Sequence, residues 1–430
     1  MKVIDRKYLL AFILITSCFA LWGFANDITN PMVKSFSKIF RMSVTQGALV
    51  QVAFYGGYFC MALPAALFIR RFSYKSGILM GLGLYAIGAL MFLPAASIGS
   101  YWPFLAAYFI LTCGLSFLET SANPFILSMG DSGTATRRLN LAQSFNPIGS
   151  LCGMFVAMNY IQARMNPLST AERVTLDEAQ FEALKAADLG VLVKPYAAIG
   201  IVLIVVFVLI VVFVRTKTIT KTNASTSSAT TISRLWKNVA YREGVVAQFF
   251  YVGAQITCWT FIIQYGTQVF MAEGMAEQAA EVLSQRLNIV AMVLFCCSRF
   301  ICTALMKKFR PAGMLAVFAA AAIGLTMIVM FVGGRVGVYS LVAVSACMSL
   351  MFPTIYGLAL KDVGQDAEIG SAGLIMAILG GSLLPPLQAM IIDGGSVGLS
   401  FVVPCVCFIV VALYGIRRLR IRPAMREENV

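Results

Sequence analysis

The chain reads as a succession of apolar runs, each long enough to cross a bilayer and separated from the next by a short polar stretch. About 20 apolar residues suffice for a helix to span the hydrocarbon core. Twelve runs qualify, at residues 8–33, 47–69, 76–96, 103–128, 140–162, 193–214, 243–270, 287–306, 311–332, 337–359, 369–392 and 397–416. Lipid offers no hydrogen bonds to a backbone, so each run is expected to satisfy its own N–H and C=O groups as a helix. Hydrophobic residues make up 59% of the 430 positions and charged ones 12%, more apolar surface than a soluble domain can hide. The expected class is an all-α polytopic membrane protein with twelve transmembrane helices. The first run follows Lys2, Arg6 and Lys7 but lacks a small-residue cleavage pattern, so it reads as a retained helix.

Basic residues set the expected orientation. With both termini in the cytoplasm, the inner segments hold 23 Lys and Arg and the outer ones 9, as the positive-inside rule requires. The formal charge of +14 is therefore an orientation device, and its dispersal over many loops argues against a nucleic-acid surface. The eleven cysteines fall within apolar spans, without C-x-x-C spacing or a histidine nearby. They read as small buried hydrophobes, and no disulfide, metal or cofactor is expected.

Polar groups inside these spans are costly and mark where the work is done. Glu119 sits in the fourth run, within Phe117-Leu118-Glu119-Thr120-Ser121-Ala122-Asn123-Pro124, and Asn123 lies one turn further on the same face. Such an acid either pairs with another helix or serves transport. The first run carries Asn26, Asp27 and Asn30 on one face, followed by Pro31. Gln143 and Asn146 are one turn apart in the fifth, beside Pro147. In the seventh, Gln248, Tyr251, Gln255 and Trp259 share a narrow arc. Aromatic faces stack on the C–H face of a sugar ring and amides bond its hydroxyls, although the same stripe also suits helix packing. Arg299, deep in the eighth run, calls for carbonyl or carboxylate partners.

The chain divides in two. Thr216 to Ser233 is rich in Ser and Thr and reads as a flexible linker. Leu67 to Phe72 resembles Ala304 to Phe309, and Gly149-Ser150-Leu151 resembles Gly381-Ser382-Leu383, always six spans apart. The expected domains are a six-helix bundle over 1–215, a cytoplasmic linker over 216–242, and a second bundle with its tail over 243–430. The acidic loop after span five is expected to be a lid or spacer, with Thr175-Leu176-Asp177-Glu178 as a capping box opening a short surface helix. With no histidine and no G-x-x-x-x-G-K-[ST] loop, the chain lacks the parts of a His-based hydrolase or an ATP-driven pump. A gradient-driven carrier, a channel or a sugar sensor remains, and two carboxylates with amides and aromatics in both halves suit an alternating-access carrier best.

At these residues the sequence resembles the fucose–galactose–glucose proton symporter family of the major facilitator superfamily, and within it the bacterial L-fucose permeases. The resemblance rests on Phe117 to Pro124, Arg138 to Pro147, Gln248 to Gln255 with Cys258-Trp259, Ser298-Arg299-Phe300, Phe352 to Ile355 and Gly370 to Gln388. It implies a major facilitator fold in a bacterial inner membrane and proton-coupled import of L-fucose by alternating access, with galactose or glucose as the alternative cargo. It also implies that Glu119 takes part in coupling and that Gln143 and Asn146 lie near the sugar. One position departs from the pattern: counting back from Glu119, the family's first-span Asp falls on Asn30, while the acid here is Asp27. In a chain without histidine the coupling proton has to ride on a carboxylate. Glu119, among apolar neighbours, is the expected carrier, and Asp27, beside two amides, is expected to orient hydroxyls or relay protons.

Overall fold

A computed structural model describes residues 8–29, 32–42, 49–166, 170–214, 228–361, 363–393 and 396–420, with Ile4, Gln46 and Leu168. The first four spans are α1 (Leu9–Thr29), α2 (Leu49–Arg71), α3 (Tyr74–Leu90, carried on by Phe92–Ile98) and α4 (Tyr101–Ser128). The fifth is split into α5 (Ala135–Gln143) and α6 (Asn146–Val156), and the sixth is α7 (Glu178–Phe213). The second half follows the same order with α8 (Val239–Ala272), α9 (Glu277–Leu305) and α10 (Pro311–Phe331). Its tenth span is α11 (Gly334–Met348) with α12 (Met351–Ala359), its eleventh α13 (Ala367–Met376) with α14 (Gly380–Asp393), and its last α15 (Val402–Arg420). Eleven of these spans are long and apolar enough to cross a membrane, and the split fifth makes the twelfth.

The split has a local cause. Pro147 has no N–H, so the Gln143 carbonyl loses its partner within the helix. The chain tightens there, with Ser144 N bonding back to Asn140 O and Leu141 O. Pro353 does the same to Ser349, between α11 and α12. Elsewhere the helices approach closely through small residues, which lipid-embedded packing favours. A Cβ on Gly149 of α6 would lie 1.7 Å from the Ala20 carbonyl oxygen of α1. The second half repeats the joint, with a Cβ on Gly380 of α14 falling 2.1 Å from the Phe249 oxygen of α8.

Two expectations change. The polar stretch before span six does not open a separate surface helix: Asp177 caps α7 by accepting from Gln180 N at 2.8 Å, and the helix runs on unbroken for 36 residues. Hydropathy ends at the lipid boundary, whereas helical hydrogen bonding does not. Of the expected linker, residues 215–227 lie outside the described residues, and Ser228–Lys237 is helical.

The halves are tied at the end that carries Arg70, Arg71, Arg137, Arg138, Lys307 and Lys308. Tyr74 Oη donates to Glu368 Oε1 at 3.0 Å, Asn140 Nδ2 to Thr354 Oγ1 at 3.3 Å and Ser371 Oγ to the Thr120 carbonyl at 3.0 Å, while Arg70 Nη1 reaches Thr231 Oγ1 of the helix before α8 at 3.3 Å.

Candidate functional site

Between the halves lies a cavity of about 140 Å³ whose walls differ in chemistry. From the first half, α1 presents Trp22, Asn26, Asp27 and Thr29, α2 presents Phe54, Tyr55 and Tyr58, and α4 presents Glu119. Gln143, Asn146 and Ser150 come from either side of the split in span five. The second half gives Val252, Gln255, Ile256 and Trp259 of α8 and Met292, Phe295 and Arg299 of α9, with Phe352 and Ile378. The acids and most of the amides thus stand on one wall, together with four of the seven aromatic residues, while the aliphatic side chains and the other three aromatics stand on the other.

Exposure grades along the cavity. Asn26, Asp27, Tyr55, Asn146, Gln255 and Trp259 are half-buried, whereas Glu119, Gln143 and Arg299 are buried at its base. The cavity therefore opens away from the basic end and is sealed towards it.

Several polar atoms in this cavity have no protein partner. Both carboxylate oxygens of Glu119 are buried without a hydrogen bond, and so are the Tyr58 hydroxyl and the Trp22 indole N–H. The last two lie beside each other without a well-formed bond. A buried polar group without a partner costs about 1–3 kcal/mol, so a set of them around one space calls for a ligand that brings hydroxyls. Other groups are held in place. Gln143 Nε2 donates to Asn123 Oδ1 at 2.9 Å, Asn146 Nδ2 to the Phe19 carbonyl at 3.2 Å, and Trp259 Nε1 to Ser345 Oγ at 3.2 Å. The Trp259 ring meets Phe295 edge-on, with centroids 5.0 Å apart.

Of the residues singled out in the sequence, Asn26, Asp27, Glu119, Gln143, Asn146, Gln255 and Trp259 are brought together around the cavity. Asn123 stands behind this set and orients Gln143. Tyr251 is buried outside the cavity and donates its hydroxyl to the Met348 carbonyl at 3.0 Å, at the break between α11 and α12. Asn30 lies outside the described residues. Arg299, for which carbonyl and carboxylate partners were both open, takes carbonyls. Tyr55, Tyr58 and Phe295 also line the cavity, and no sequence pattern sets them apart. The only signal near the tyrosines, the Gly56-Gly57 pair, reads as helix packing, and Gly57 does abut Thr112.

Comparison with known proteins bears on this geometry. The pattern of the Major Facilitator Superfamily matches residues 13–382. The chain is 49% identical to the L-fucose-proton symporter of Haemophilus influenzae, over 98% of this chain and 99% of that one. It is 30% identical to a glucose/galactose transporter of Brucella abortus, over 96% and 95% of the two chains. Among solved structures it superposes on the major facilitator transporter FucP in the outward conformation with a TM-score of 0.86 at 34% identity, covering 96% of this chain and 99% of that one.

Proposed function

The chain belongs to the major facilitator superfamily, and from that premise we propose that it is a proton-coupled symporter that imports L-fucose by alternating access. It is a carrier and not an enzyme. The observation that carries this reading is the group of partnerless buried atoms, on Trp22, Tyr58 and Glu119, around a cavity walled on its other side by Trp259 and Phe295. A deoxyhexose fits that arrangement, since its hydroxyls satisfy the polar atoms of the first half and its C–H face packs on Trp259 and Phe295. The higher identity to the L-fucose symporter than to the glucose/galactose transporter favours L-fucose.

Glu119 carries the proton. It is a buried intramembrane carboxyl at the base of the cavity, and no protein donor fixes its charge. Asp27, half-buried nearer the mouth, orients sugar hydroxyls or relays protons. Asn26, Gln143, Asn146 and Gln255 bond the sugar, and Asn123 holds Gln143 in place. The bundles over 1–215 and 243–430, joined by 216–242, rock against each other, with the basic end and both termini on the cytoplasmic side. In this arrangement the cavity faces outward. The experiment is uptake of labelled L-fucose into cells expressing the protein, with and without a protonophore, and with unlabelled sugars in competition. Concentrative uptake that collapses with the protonophore supports the symporter. Absence of saturable L-fucose uptake, or its block by unlabelled galactose or glucose at lower concentrations than by unlabelled L-fucose, would shift the cargo.

A further inference from the structure

Pro147 and Pro353 each strand the carbonyl four residues earlier, on Gln143 and Ser349. Away from water such a carbonyl needs another donor. One guanidinium serves both: Arg299 Nε donates to Ser349 O at 2.5 Å and Nη1 to Gln143 O at 3.0 Å. Arg299 and Ser349 belong to the second half, so the first bond fixes the guanidinium within its own bundle. Gln143 belongs to the first half, so the second bond crosses the interface at the base of the cavity. A stack reinforces the arrangement, because the guanidinium lies 4.6 Å from the Phe295 ring centroid and Phe295 packs on Trp259. One turn nearer the basic end, Ser144 Oγ and Thr303 Oγ1 are 3.4 Å apart across the same seam. Gln143 thus offers its side-chain amide to the cavity and its carbonyl to the opposite half.

We propose that Arg299 is a positioning residue that links the sugar site to closure of the basic end, holding the two proline-freed carbonyls together while that end is shut and releasing Gln143 when it opens. Arg is suited to this because its planar fork reaches two acceptors in fixed directions, whereas Lys presents a single point charge.

The proposal rests on the alternating-access reading, so its test follows conformation in the sugar-free protein, where the identity of the cargo has no bearing. Hydrogen–deuterium exchange is measured on the purified full chain at two places: α12 and α13 at the basic end, and residues 22–29 and 49–58 at the other. Arg299→Lys removes the fork and keeps the charge. Pro147→Ala restores an N–H that draws the Gln143 carbonyl back into its helix. Loss of one charge-assisted bond corresponds to a shift of about tenfold or more in the opening equilibrium. Both variants are expected to exchange about tenfold faster at the basic end and more slowly at the other. The double variant is expected to go no further than the stronger single one, since both remove the same link. Loosening at both ends marks a merely structural role and overturns the proposal, as do an additive double variant and a Pro147→Ala protein that exchanges like wild type. Pro147→Ala leaves the buried charge in place, so it decides the question even where Arg299→Lys fails to fold.

Discussion

Gly149→Ala tests how the site is held together. The added Cβ would lie 1.7 Å from the Ala20 carbonyl oxygen, and ordinary contact begins at 3.4 Å, so α1 and α6 have to part by about 1.7 Å at this point. Asn26 and Asp27 ride on α1, while Asn146 rides on α6. Hydrogen bonds work over about 2.7–3.2 Å and do not stretch by that much, so a sugar bridging the helices lets go of one of them. Two lost bonds at about 0.5–1.5 kcal/mol each correspond to a Kd weakened by about five- to 150-fold. The forced contact costs a further 1–3 kcal/mol or so in stability. Gly83→Ala is the matched control: a Cβ there meets nothing within 4 Å, and Ala suits a helix better than Gly by roughly 0.5–1 kcal/mol. Equilibrium binding of labelled L-fucose and thermal melting of the purified proteins read both effects. Wild-type affinity in a folded Gly149→Ala protein would refute the idea that this seam sets the spacing of the site.

Three further outcomes are expected. Glu119→Gln, which mimics the protonated acid, should lower uphill accumulation by at least about tenfold while sugar binding and downhill exchange persist and binding loses its pH dependence. Continued accumulation against a gradient would rule Glu119 out as the carrier. Asp27→Asn should impair transport but keep a pH-dependent binding curve, and a flat curve would move the proton to Asp27. Gln255→Ala and Trp259→Ala should each weaken binding by about two- to tenfold in a folded protein, and unchanged Kd values in both would reduce that stripe to packing.

The spans were legible because length and hydropathy are what a bilayer selects, and the polar wall because each amide or acid stands out in an apolar run. Aromatic residues gave no such contrast. With 31 Phe and 15 Tyr in the chain, nothing in the sequence separates Tyr55 and Tyr58 from tyrosines that only pack. The stripe on the seventh span shows the limit of angular periodicity. Gln248 and Tyr251 lie in the same arc as Gln255 and Trp259, but at 1.5 Å per residue Gln248 sits about 16 Å from Trp259 along the axis. Depth places Tyr251 against the break in span ten and leaves Gln255 and Trp259 at the cavity. Pro147 and Pro353 lie inside runs, 140–162 and 337–359, that hydropathy reads as continuous, and the partner of the carbonyls they free is set by tertiary packing alone.

The ties gathered at the basic end leave a wedge between the halves that opens away from it, and on the alternating-access reading proposed above that wedge admits water while its mouth is open. Each transport cycle then performs osmotic work, because the mouth shuts only as this water leaves. Water activity then acts on the conformational equilibrium as a ligand that prefers one state. A polymer too large to enter the wedge draws water out and favours the shut mouth, whereas a small solute that enters freely does not. Turnover thus becomes sensitive to the size of bystander molecules as well as to the sugar and proton gradients.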